Sequence, residues 1–239
     1  MKHKLQIFVL FLSTLMLSGC LYPNDQLKQN QVPYQDQIAS VQSAINQYKQ
    51  DNNGLLPIKN RDMETPIYQK YPIDFNKITP RYLAEPPGNA YESGGVFIYV
   101  LVDVETNPTV KLLDLRISEK ISELTLRVEM YRSSNGYPPF KDQINTDVFT
   151  LDYSKLGLKE EQYVVSPFTG NNLPLVISNT NEIFVDYRMD LYDYLSKYTN
   201  TYNMGDDIRN ILVENSMFVP TNSLPYTIDN KKEPIFLNK

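Results

Sequence analysis

Histidine and cysteine each occur once, as His3 and Cys20, and tryptophan does not occur. Beyond residue 20 the chain therefore has no imidazole and no thiol. That excludes a Ser-His-Asp triad, a Cys-His pair and any zinc site built from His and Cys. A single cysteine also excludes an intrachain disulfide. The Ser-x-x-Lys spacing of acyl-enzyme chemistry is missing as well. Catalysis by carboxylates, Lys or Tyr remains, as does binding of hard cations through oxygen. Positive charge is in deficit, with a formal net charge of −5, which disfavours nucleic acid and anionic lipid as electrostatic partners.

What is present begins with a three-part leader. Lys2 and Lys4 give a positive start, Leu5 to Leu17 is a mostly apolar run, and small Ser18 and Gly19 precede Cys20. This is the plan of a secretory signal. The run is broken by Gln6, Ser13 and Thr14 and is shorter than the about 20 apolar residues of a membrane-spanning helix. Leu17-Ser18-Gly19-Cys20 resembles the lipobox of bacterial lipoproteins. The resemblance implies that the Cys20 thiol takes a diacylglyceryl group and that the chain is cut just before it. Residues 1–19 are then a signal peptide and residues 20–35, polar with Pro23 and Pro33, a lipidated tether. The membrane becomes a partner through the lipid on Cys20, on the outer face of the cytoplasmic membrane. Cleavage removes Lys2 and Lys4 and no acid, which moves the net charge from −5 to −7.

The body reads as α+β. Ile38, Val41, Ile45 and Tyr48 lie on one face of a helix predicted over 36–53, ended by Gly54 and Pro57. Ile73-Asp74-Phe75-Asn76-Lys77-Ile78 alternates and predicts a short strand. Val96–Val102 and Thr109–Leu113 predict a hairpin. Ile117, Ile121, Leu124, Val128 and Tyr131 define a second helix over 115–134, with Asp114 as N-cap and Gly136 at its end.

The second helix opens a stretch that repeats the first. Ile38, Val41, Ile45 and Tyr48 correspond to Ile121, Leu124, Val128 and Tyr131. Gly54 and Pro57 correspond to Gly136 and Pro139, and Ile73–Ile78 corresponds to Leu151–Leu156. The fold expected is thus two tandem repeats, each an amphipathic helix packed on a small antiparallel sheet, at 36–113 and 114–198. A C-terminal extension, 199–239, follows. Short helices are predicted over 190–198 and 206–215, the latter capped by Gly205-Asp206. Phe218, Leu224, Tyr226, Ile228, Ile235 and Phe236 predict that the tail folds back on the body.

The Tyr-to-Gly-to-Pro helix ending resembles the globular heads of type IV pilins, over some twenty residues per unit. Across its length the chain resembles the YphF-like lipoproteins of Gram-positive bacilli. The segments that carry this are Leu21-Tyr22-Pro23, Asn53–Ile58, Tyr71–Phe75, Glu85–Asn89, Tyr99–Glu105, Gly157–Glu160 and Leu224–Asp229. The resemblance implies location and fold, and brings no catalytic residues with it.

Candidate sites are few. Asp103 with Glu105, and Asp186 with Asp190, are possible carboxylate pairs, although such acids more often form solvated faces. Asp51-Asn52-Asn53-Gly54 starts like a calcium loop but lacks the later oxygen ligands. Gly205-Asp206-Asp207 suits a helix cap better than a cation. Tyr48 and Tyr131 fit a core better than a ligand groove. The expectation is a non-enzymatic interaction or structural module of the cell envelope, with no catalytic, metal or cofactor residues and no nucleic acid partner. Its partner would be an envelope protein or wall component. An extracytoplasmic solute-binding lipoprotein is the alternative. Cys20→Ala is expected to leave uncleaved precursor or release the body from membranes, read by fractionation. A variant that stays as firmly bound as wild type would refute the anchor.

Overall fold

The structure, a computed structural model, describes residues 28–237, with side chains from Tyr34 onward. Cys20 and the leader lie outside the described residues. The first helix, α1, spans Lys28–Asp51 and so begins earlier than the sequence periodicity indicated. From Gln37 on, the chain forms one compact unit, and the description below concerns that unit.

Val41, Ala44 and Ile45 of α1 are buried, and Ile38 partly so. Gln42 ties this helix to the first sheet: its amide nitrogen donates to Pro108 O at 3.0 Å, and its Oε1 accepts from Val110 N at 2.8 Å. That sheet is a hairpin of β1, Phe97–Val102, and β2, Thr109–Asp114, in full antiparallel register. One face presents Phe97, Tyr99 and Leu101, all buried. The other carries Val100 and Val102, which pack with Tyr68, Leu113, Val213 and Val219. Both faces are covered, which is why Phe97–Val102 is continuously apolar.

The strand expected over 73–78 is not one. Phe75–Ile78 is a single helical turn, α2, whose N-cap Asp74 accepts from Asn76 N at 3.3 Å. Ile73, Phe75 and Ile78 are all buried. Their spacing serves a strand or a capped turn, and the Asp74 cap decides for the turn. Residues 71–73 still add to the sheet, since Ile73 N donates to Tyr99 O and Leu101 N to Tyr71 O, both at 2.9 Å.

Helix α3, Leu115–Asn135, has the expected ends. Asp114 accepts from Arg116 N at 3.0 Å, and Gly136 adopts φ 81° with its N–H on Arg132 O, the left-handed stop that glycine tolerates best. Ile117, Ile121, Leu124 and Val128 share one core with the second sheet. That sheet contains β3, Phe140–Asn145; β4, Val148–Leu151; β5, Tyr163–Val165; β6, Asn172–Ser178; and β7, Ile183–Val185. The order is β3-β4-β6-β5, with β7 also paired to β6. Strands β3 to β6 were not anticipated. Exposed Lys141, Asp142 and Gln143 and two register shifts mark β3 as an edge strand.

The α+β class is thus as expected, with small antiparallel sheets. Tandem copies of one helix-on-sheet unit are not evident, however. The first sheet has two strands and the second five, and Phe75–Ile78 is a helical turn and 153–157 a turn where matching strands were expected.

After β7 come α4, Arg188–Lys197, and α5, Asn210–Glu214. Asp206 does not cap α5; its Oδ2 accepts from Asn203 N, and Asp207 accepts from Arg209 N at 3.1 Å. The tail does fold back. Met217–Val219 runs along β2, with Leu112 N on Met217 O at 2.9 Å and Val219 N on Leu112 O at 3.0 Å. A few residues later Asn222 O accepts from Val185 N of β7 at 2.9 Å. One segment therefore joins both sheets. The chain ends in a hairpin of β8, Tyr226–Ile228, and β9, Pro234–Phe236, burying Phe218, Tyr226, Ile228 and Phe236 while Ile235 stays exposed.

Leu124 is buried under the second sheet, whereas Leu126 is 60% exposed. Leu124→Asp is expected to cost more than about 3 kcal/mol, because it buries an unpaired charge. Leu126→Asp should stay within about 0.5 kcal/mol. Urea unfolding of both variants measures the contrast.

Candidate functional site

Three Asp-x-Arg triplets recur at element ends, and each adopts the same geometry. In Asp114–Arg116, Asp186–Arg188 and Asp207–Arg209 the aspartate accepts from the arginine backbone N–H and from its Nε and Nη2 together. The Nη2 contacts are 2.6–2.7 Å, the short range of charge-assisted forks. Each guanidinium also faces an aromatic ring: Phe97 at 5.6 Å, Phe236 at 4.9 Å and Tyr68 at 5.2 Å. Asp186 is therefore the ion-pair partner of Arg188 and also accepts its backbone N–H. The recurrent Asp-x-Arg spacing was a sequence signal that could have revealed this.

Asp190 sits one turn along α4 and is fully buried. Its two oxygens accept from Ser166 Oγ and Thr169 Oγ1, both at 2.6 Å. Ser166 Oγ in turn accepts from Phe168 N at 3.0 Å and Thr169 N at 3.2 Å. The carboxyl thus latches the loop between β5 and β6. Burial raises its pKa to about 6, against the lowering effect of the two hydroxyls.

The remaining candidates separate. Asp103 and Glu105 are exposed in the β1–β2 turn, where Asp103 has φ 52°. Asp51 pairs with Arg81 at 3.0 Å and accepts from Tyr82 OH at 3.1 Å, so the Asp51–Gly54 stretch is a helix terminus. Tyr48 stacks edge-on with Tyr82, and Tyr131 with Tyr137, and both Tyr48 and Tyr131 are only partly buried. The fully buried tyrosines are others. Tyr187 OH donates to Thr221 O at 2.9 Å, and Tyr226 OH donates to Val185 O at 3.1 Å and accepts from Tyr187 N at 3.0 Å. Burial drives both phenols well above their usual pKa, so they act as neutral hydrogen-bonding core residues. Among the described residues no group of His, Cys, Asp and Glu is arranged to hold a metal.

A cleft of about 390 Å³ opens beside α3 and β7. α3 lines one side and the β6–β7 turn, 180–184, another; Pro66, Tyr68 and Gln69 and residues 220–223 complete it. Buried Ile121, Val128 and Ile183 give it apolar depth, and exposed Glu129, Arg132 and Glu182 stand at its mouth. Tyr68 OH donates to Asn210 Oδ1 at 2.8 Å, and burial keeps this phenol protonated far above its usual range. Sequence reasoning missed this cleft, because five separate stretches contribute to it.

These features define an α+β protein of small antiparallel sheets, with aspartate–arginine forks at element ends and an amphipathic cleft beside α3 and β7. Residues 34–114 match the model of the YphF family N-terminal domain. They hold α1 from Tyr34 on, α2 and the β1–β2 hairpin, and end on the cap of α3. No curated protein matches the chain, and no solved structure does.

The Asp190 latch has a pH signature. A folded-state pKa raised by burial means that the group's contribution is full below its unfolded value, near 4, and is lost as pH rises through about 6. Relative to Asp190→Asn, which keeps an acceptor for one hydroxyl, the native protein should lose on the order of 2–3 kcal/mol between pH 4 and pH 7. Thermal melts of both proteins across this range test it, and a constant gap would contradict the assignment.

Proposed function

We propose that the chain is a lipid-anchored, non-enzymatic interaction module of the cell envelope. It would be held by Cys20 on the outer face of the cytoplasmic membrane and would engage an envelope protein or wall component. The observation that carries this reading is the state of the acids best suited to chemistry. Asp114, Asp186, Asp190 and Asp207 are each held in a fork or latch that serves the fold. No helix among the described residues is long and apolar enough to cross a membrane.

The finer proposal of an internal duplication also draws support from backbone pairing. Ile58 bridges Ile73 and Asp74 N donates to Pro57 O at 2.7 Å; Phe140 pairs with Leu151 and Asp152 N donates to Pro139 O at 2.8 Å. The β6–β7 and β8–β9 hairpins match likewise. Leu175, Val176 and Ile177 pair with Val185, Phe184 and Ile183 just as Tyr226, Thr227 and Ile228 pair with Phe236, Ile235 and Pro234. Their turns share Ser178 N on Glu182 O and Asp229 N on Glu233 O, both at 2.9 Å. Related surfaces on one chain favour multivalent contact.

The cleft favours a second reading, an extracytoplasmic solute-binding lipoprotein, because it combines Tyr68, apolar depth and charged side chains within a small-molecule volume. In-cell crosslinking of the anchored protein separates the two. A reproducible envelope partner whose capture depends on Cys20 supports the interaction module. Recovery of no macromolecule, together with stabilisation by a small solute, would replace it with the second reading.

A further inference from the structure

Charges of both signs are left open on the two walls of the cleft beside α3 and β7. On α3, Glu129 and Arg132 are exposed at the mouth and neither makes an ion pair. On the facing β6–β7 turn, the Glu182 carboxylate accepts the Thr180 hydroxyl, at 2.9 Å. Beside it Asn181 is held at φ 70°, and its Oδ1 is buried without a hydrogen-bond partner. By contrast, Arg209 of the same cleft is neutralised by Asp207 at 2.6 Å.

We propose that this cleft binds a zwitterionic ligand of the amino-acid or short-peptide class, an inference that rests on the solute-binding reading. Glu129 and Glu182 supply acceptors for an ammonium or amide N–H. Arg132 supplies the planar donor pair that suits a carboxylate. Tyr68 and Phe184 offer apolar surface to a side chain. A neutral sugar leaves these charges unmatched, and a dianion meets Glu129 and Glu182.

Titration of the purified full chain with alanylphenylalanine, followed by calorimetry and thermal shift, tests the proposal. Saturable binding that raises Tm is expected. Arg132→Gln and Glu182→Gln should each weaken it at least about tenfold, with little change in the Tm of the free protein because both side chains are exposed. Acetylating the dipeptide's amine or amidating its carboxylate should weaken it too. Binding unchanged in both variants overturns the assignment of the cleft. A Tm rise with trehalose but not with the dipeptide overturns the ligand class and leaves the solute-binding reading standing. No response to either probe overturns both.

Discussion

The first sheet depends on a strand it does not contain. Two strands alone are marginal in water, and the free edge of β2 would expose unpaired N–H and C=O groups. Met217–Val219 closes that edge through Leu112, and Lys111 reinforces the contact. Its ammonium donates to Val213 O and Ser216 O, both at 2.6 Å. These are carbonyls at and just beyond the end of α5, where a cation complements the helix dipole. Partial burial lowers the Lys111 pKa, the cost of placing the ammonium there. The same segment then passes through buried Pro220 and Thr221 to β7.

Around this join the structure uses short polar devices in place of disulfides or metals. The Asp-x-Arg forks combine a cap, a bidentate ion pair and an aromatic contact in three residues. Asp114 starts α3, and Asp186 starts α4 directly after β7. Each therefore fixes the angle at which a strand turns into a helix. Tyr187 and Tyr226 do the corresponding work in the interior, where each phenol satisfies backbone groups of a neighbouring element. An abundance of tyrosine fits such a core, since the ring gives apolar contact and the hydroxyl reaches a partner.

How far the fold could be read from sequence follows from the range of the forces involved. The apolar face and both ends of α3 were legible, because a 3.6-residue period, a capping Asp114 and a terminal Gly136 are local. The β1–β2 hairpin was legible from its apolar run. Ile73–Ile78 was misread because its spacing satisfies two conformations, and a single side-chain cap chose between them. β3 was not legible, since a polar edge strand carries no apolar alternation. The role of Met217–Asn222 and the cleft lined by five stretches come from pairing between distant residues, which leaves no local pattern. The Asp-x-Arg recurrence is the one feature of the site region that was visible but unread.

Lys111 meets Ser216 across 105 positions. During synthesis the β1–β2 hairpin thus emerges long before the segment that covers its edge. Until then Leu112 has no partner on that side, and both the Val213 and Val219 contacts are missing from one face of the hairpin. Nascent chains in this interval present an open, apolar strand edge, the kind of surface that chaperones hold and that aggregation exploits. A chain interrupted before residue 217 would retain that edge permanently, so quality control has a direct physical means of telling finished molecules from unfinished ones.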